Sequence, residues 1–157
     1  MAYNVGMEMQ TLKKPAIAGL IIVLFLFVCT LVLRASPSES GFLHVTFLDV
    51  GQGDAMVINL HHYRAIVIDV GPDPQLIDRC LHQLGIKEIP LLILTHGHAD
   101  HIAGLAGAIA NRKVGIQWFG NVKRGTTANF GAMKIEVLWP DTGSYDENNS
   151  SIAVRID

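Results

Sequence analysis

Leu94-Thr95-His96-Gly97-His98-Ala99-Asp100-His101 closes the apolar run that begins at Pro90 and opens a stretch of small apolar residues, Ile102 to Ala110. Three imidazoles and a carboxylate fall within six residues, where a short buried strand hands over to a helix. Packing alone does not explain such a cluster. Gathering four ligand-type side chains costs solvation unless a cation sits among them. The ligand types point to one or two divalent metals, zinc first and manganese as the other candidate. His96 and His98 alternate by two along an extended turn, so both rings can reach one ion. Asp100 and His101 come at the helix start, where they can turn toward a second position. The partial positive charge of a helix N-terminus would favour an anion there. A metal so placed lowers the pKa of a water ligand from about 15.7 to about 7. The competing reading is a set of solvated loop histidines.

Working outward, the chain before this cluster reads as a β-rich region. His44–Val50, Ala55–Leu60 and Ala65–Val70 are runs of strand formers separated by the Gly51–Asp54 turn and the polar turn His61–Arg64, which predicts a three-stranded meander. Gly71-Pro72-Asp73-Pro74 breaks the chain. Leu76, Ile77, Cys80, Leu81 and Leu84 then recur at helical spacing, with Gly85 at the C′ position. Cys80 is thus expected in the core of that helix. Beyond the cluster, Ile102–Ala110 predicts a helix small enough to pack closely on a sheet. Ile116–Phe119, Met133–Leu138 and Ile152–Ile156 are further strand candidates, and Pro140–Ser151 is a polar loop. The elements together predict an α/β (α+β) fold.

The N-terminal region has a different character. Pro15 to Leu33 holds nineteen residues without a charge, about 28 Å as a helix and close to the ~30 Å of a bilayer core. Lys13 and Lys14 precede it and Arg34 follows. The balance of charge puts the N-terminus in the cytoplasm and the rest of the chain outside it. The run exceeds the ~7–15 residues of a signal-peptide core, and Leu33-Arg34-Ala35 is a poor cleavage site. We therefore expect a cytoplasmic tail over 1–14, a transmembrane signal anchor over 15–34, a linker over 35–41 and one domain over 42–157. A cleaved secretory signal is the alternative. The expected location is the cell membrane, in single-pass form.

The 157 residues carry a net charge of −2, and half of them are hydrophobic. The pI is near 6.4 and the mean hydropathy +0.34. No basic footprint of a protein that grips nucleic acid through its own charge is present. The two cysteines, Cys29 and Cys80, lie in unlike settings and suggest neither a disulfide nor a zinc knuckle.

Thr95–Leu105, THGHADHIAGL, resembles the signature of the metallo-β-lactamase fold. His44–Ala55 (HVTFLDVGQGDA), Ile68-Asp69-Val70-Gly71 and Asp146–Arg155 (DENNSSIAVR) occur with it in order. Together they resemble the C-terminal domain of the ComEC family, DNA-uptake channel proteins of competence, over residues 42 to 157. The resemblance implies an αββα sandwich with a two-metal site at one edge of its sheets. His96 and His98 would hold the first metal, and Asp100 and His101 the second. Asp69 would buttress the cluster as a supporting carboxylate, or serve only as a turn residue before Gly71-Pro72. Asp54 would face the same cleft and share the catalytic role with Asp100, or be an Asp in a tight glycine turn. The implied reaction is hydrolysis of a phosphodiester, with single-stranded DNA as substrate and the membrane as partner.

The chain departs from the family in one respect. The pattern continues with a bridging Asp and a His-rich loop, whereas no His or Cys follows His101. His44, His61, His62 and His82 are expected in solvated roles rather than as replacements. The expectation is a truncated chain holding the N-terminal half of the sandwich. Its rivals are a non-catalytic tethered remnant, a small-molecule hydrolase acting on a lactam, thioester or phosphoester, and completion of the site by a partner.

Overall fold

The computed structural model describes residues 14–34, 43–120, 122–141 and 149–157. The expected tail before Lys14, the 35–41 linker and the Asp146–Asn148 part of the DENNS motif lie outside these. The chain forms two compact units, Met1–Phe42 and Leu43–Asp157.

The described residues of the first unit form the helix α1 (Lys14–Arg34). Its described side chains are Gly19 and Ile21–Thr30. Ile21 through Val28 form an unbroken apolar run, each residue 48–65% exposed. The Thr30 hydroxyl donates back to the Phe27 carbonyl at 2.7 Å, so the one polar side chain there is satisfied within the helix. Among the described residues, no helix is long and apolar enough to cross a membrane.

The second unit is built on a five-stranded sheet, sheet A, in the spatial order β1 (Val45–Phe47), β2 (Met56–His61), β3 (Arg64–Ile68), β4 (Glu88–Ile93) and β5 (Lys113–Trp118). The first three strands form the predicted antiparallel meander. The β3–β4 and β4–β5 pairs are parallel. Helix α2 (Pro74–Gln83) makes the first crossover, and the short α3 (Ala99–Ile102) and α4 (Leu105–Ile109) make the second. Three further strands, β6 (Thr127–Phe130), β7 (Met133–Trp139) and β8 (Ala153–Ile156), form the antiparallel sheet B.

Strand alternation divides the core in two. Val57, Val67 and Leu92 leave one face of sheet A and pack with Ile77 and Leu81 of α2 and Ala108 of α4. Ile58, Ile66, Leu91 and Ile93 leave the other face and meet Ile135 and Val137 of sheet B. The layers therefore run helices, sheet A, sheet B. Among the described residues no helix covers the outer face of sheet B.

Local chemistry explains the element ends. Asp73 caps α2, its Oδ1 accepting from the N–H groups of Gln75 (2.7 Å) and Leu76 (3.2 Å), with Pro74 at the first helical position. Gly85 follows α2 at φ +70°, the expected C′ conformation. Cys80 is only half-buried, and its Sγ lies 3.7 Å from the Asp49 carbonyl; Ile77 and Leu81 fill the core instead.

Two further expectations need correction, and one strand was not expected. The strand expected from Pro90 begins at Glu88. It absorbs the proline where the β3–β4 ladder is irregular, between the Arg64 and Val67 pairings. The single helix expected over 102–110 is two short ones, and the first starts at Ala99. Strand β6 is absent from the sequence reading because Thr127–Phe130 is short and carries only two apolar residues. It exists because its backbone pairs with β7 through four registered residues.

Candidate metal centre

Parallel strands β3 and β4 end at the same edge of sheet A, the edge where open α/β sheets present their functional loops. β3 delivers Asp69 and β4 delivers Thr95, His96 and His98. Asp69 lies in the left-handed region at φ 57°, uncommon for a residue with a Cβ. It is 3% exposed, the one charged residue in the core among the described residues. Its backbone N–H donates to the Ile93 carbonyl at 2.8 Å, and that bond ties the two strand ends together.

The Asp69 carboxylate organises the turn. Oδ1 accepts from the Thr95 backbone N–H at 2.7 Å. Oδ2 accepts from the Thr95 hydroxyl at 2.7 Å and lies 2.8 Å from His101 Nδ1. Thr95 Oγ1 is also 3.0 Å from His96 Nδ1. Thr95 was not singled out by its sequence. Its position immediately before the first histidine is the only signal that could have found it.

Three imidazoles crowd together above this carboxylate. The His96 ring centroid is 4.8 Å from that of His98 and 4.1 Å from that of His101. Burial holds the His96 pKa below the ordinary histidine value, and charge repulsion from His101 and His98 adds to the effect. His96 therefore favours the neutral form, which is the form that ligates metals. Asp100 is half-exposed, with Oδ2 3.9 Å from His101 Nε2. Helix α3 has only four residues, so the anion-favouring dipole expected at its start is that of a single turn.

The Gly51–Asp54 turn completes one wall. Gly53 adopts φ +100°, and a Cβ there would collide with the Asp100 carbonyl, so only glycine lets this turn lie against the histidine turn. Asp54 thereby reaches the cavity it shares with Asp69, Thr95, His96 and His101. That cavity holds about 360 Å³, and Phe47, Met56, Ile68 and Ile152 give it an apolar side. His61 and His62 sit at the β2–β3 turn and His82 on the exposed face of α2, all outside the cluster.

The donor chemistry fits a divalent cation: three imidazoles, a carboxylate within reach, and a buried carboxylate bonded to the far nitrogen of the His101 ring. Among the described residues, however, no group of three or more His, Cys, Asp or Glu side chains stands ready to hold a metal ion. The donors are assembled but do not converge on one point.

Similarity to known proteins bears on this geometry. BJP-1, a subclass B3 metallo-β-lactamase of Bradyrhizobium japonicum, matches at a TM-score of 0.50 and 16% identity, over 73% of this chain and 58% of its own. A B3 metallo-β-lactamase with an active-site glutamic acid matches at 0.50 and 18%, over 77% and 57%. A metallo-β-lactamase from Cronobacter sakazakii matches at 0.47 and 15%, over 60% and 50%. At these identities the likeness speaks for the fold alone. The chain spans about half the length of the solved structures it matches. No curated protein matches it. The profile of the metallo-β-lactamase superfamily covers residues 48–130, from the strand that leads into the Gly51–Asp54 turn, through Asp69 and the histidine turn, to the end of β6. With more than half of its length so matched, the chain belongs to the metallo-β-lactamase superfamily.

Proposed function

We propose that this chain supplies the metal-binding part of a membrane-anchored, ComEC-like hydrolase that cleaves a phosphodiester, with single-stranded DNA as its substrate. The observation that carries the reading is the packing of His96, His98 and His101 above Asp69, an arrangement with no packing rationale and with the donor chemistry of zinc. Members of the superfamily typically bind zinc. His96 and His98 would hold one ion, and Asp100 and His101 a second. Zinc bound there would act as a Lewis acid on the scissile group and acidify a water ligand. Asp69 bonds His101 Nδ1, burial favours the neutral form of His96, and Asp54, at the cavity wall, would accept a proton from a water held there. DNA uptake and the ComEC likeness rest on the ordered motifs HVTFLDVGQGDA, IDVG and DENNSSIAVR. The anchor reading rests on the uncharged run Pro15–Leu33 and on the exposed apolar residues of α1. It places the catalytic domain outside the cytoplasm.

A second reading has its own observation. The donors do not converge on one point. On that reading the chain is a non-catalytic tethered remnant in the functional sense, a domain that holds metal weakly and turns nothing over. One experiment separates the two. The purified chain is titrated with zinc, then incubated with a labelled single-stranded oligonucleotide, a lactam and a thioester. Zinc-dependent scission of the oligonucleotide alone supports the nuclease reading. Turnover of the lactam or thioester instead points to a small-molecule hydrolase. Weak zinc binding with no turnover supports the remnant, and zinc content unchanged by His96→Ala with His98→Ala removes the cluster from consideration.

A further inference from the structure

We infer that Thr95 is a positioning residue: its hydroxyl relays the Asp69 carboxylate to His96 and fixes the ring tautomer of that histidine. The inference deepens the metal-site reading and rests on it for its functional meaning. Its evidence is a chain of contacts that stands without any metal.

Hydrogen-bond direction decides the matter. As a carboxylate, Asp69 can only accept. The Thr95 hydroxyl has one proton, and the 2.7 Å contact to Asp69 Oδ2 takes it. The remaining contact of Oγ1, 3.0 Å to His96 Nδ1, must then run the other way, with Nδ1–H donating to the hydroxyl oxygen. His96 therefore carries its proton on Nδ1 and presents a bare Nε2. His101 reaches the same state directly, its Nδ1–H donating to Asp69 Oδ2 at 2.8 Å. One buried carboxylate thus sets two imidazoles, His101 by contact and His96 through Thr95. A ligating histidine has its tautomer and orientation set by the partner of its other nitrogen, so both rings present the ligating nitrogen in advance.

The role of the hydroxyl separates cleanly from the structural role of Thr95. Its backbone N–H donates to Asp69 Oδ1, and its carbonyl accepts from Ile152 N–H at 2.9 Å, where the chain enters β8. Thr95→Val keeps both of these and the side-chain shape, removing only the relay. Thr95→Ser keeps the relay.

The test is long-range ¹H–¹⁵N correlation of the histidine rings in the metal-free full-length chain, at a pH where the imidazoles are neutral. In the wild type both His96 and His101 should show a protonated Nδ1. In Thr95→Val the His96 pattern should move toward the other tautomer while His101 stays, and Thr95→Ser should restore it. Zinc affinity should fall on the order of tenfold in Thr95→Val and recover in Thr95→Ser. A wild-type His96 protonated on Nε2 overturns the inference, even if Thr95→Val does not fold. An unchanged His96 pattern in Thr95→Val, or equal movement of His96 and His101, also overturns it. A wild-type chain that binds no zinc but shows the predicted tautomers removes the metal-site reading and leaves the relay standing.

Discussion

Sheets A and B are both β-structure, yet they solve burial differently. The central strands of sheet A are apolar on both faces, and Ile58, Ile66, Val67, Leu91, Leu92 and Ile93 are all inaccessible to solvent. Sheet B buries one face, through Ile135 and Val137, and turns the other to water. That outer face carries an ion-pair row in which Lys134 and Arg155 both contact Glu136, and Arg155 also contacts Asp157. A strand covered on both sides cannot move without disturbing two cores. The functional side chains hang from the ends of such strands, β3 and β4. Among the described residues, the segment entering β8 meets the site through the Ile152–Thr95 bond and through Ser151 and Ile152 at the cavity wall. Rigidity is concentrated where the histidines need it.

The sharpest way to break this contrast is to truncate one buried residue in each sheet. Leu92→Ala should cost about 3–5 kcal/mol, read by chemical denaturation. Ile135→Ala should cost nearer ~2 kcal/mol, because sheet B is covered on one face only and its strands can relax toward the gap more easily. Equal losses would mean that sheet B is held as rigidly as the doubly covered strands of sheet A.

Arg112 comes next. Its side chain is 5% exposed and its guanidinium spans α2, α4 and the loop before β4, bonding Asp78 Oδ1 at 2.8 Å and the carbonyls of Ile86, Gly107 and Ala110. Arg112→Met should cost roughly 3 kcal/mol by orphaning these acceptors, with zinc affinity preserved. A loss of zinc binding would show that the helical layer, and not sheet A alone, holds the site.

Asp69→Asn reverses that pattern. It should cost about 1–3 kcal/mol in stability and lower zinc affinity about 10–100-fold, measured by competition with a chromogenic chelator. Intact affinity would detach the cluster from its buttress.

The smallest effect belongs to the outer face of sheet B. The Lys134 hydrogen bond, with its charge, holds the Glu136 carboxyl below its ordinary value, and Arg155 adds to this. Its stabilising contribution is therefore present above the ordinary glutamate pKa and is lost as pH falls through the depressed one. Glu136→Gln should leave the thermal midpoint at neutral pH nearly unchanged, as exposed ion pairs generally do. A large drop would make the ion-pair row a structural element of the fold.

Much of the fold was legible because its signals are local. Runs of strand formers between polar turns pointed to the β1–β3 meander, helical spacing and Gly85 to α2, and the density of ligand-type residues to the histidine turn. The split of residues 99–110 into two helices was not legible, because alanine- and glycine-rich sequence carries little period. Its small residues were expected to let it pack closely on a sheet, and the close approach at Gly107 is to a helix instead. A Cβ on Gly107 would collide with the backbone of Pro74, so α4 packs closely against the start of α2. Strand β6 was invisible since its existence depends on a partner rather than on its own composition.

By itself the sequence determined the candidate donors, their order and most of the elements that carry them, since each of these is written in spacing and residue type. Only the tertiary structure decided which groups meet. Asp69 lies 26 residues before Thr95 and 32 before His101, and a single carboxylate reaches both because β3 and β4 are parallel and end side by side. Spacing along a chain says nothing about such a meeting. Strand pairing brings the groups together, and the low dielectric around a 3%-exposed carboxylate makes its few hydrogen bonds strong enough to orient what they touch.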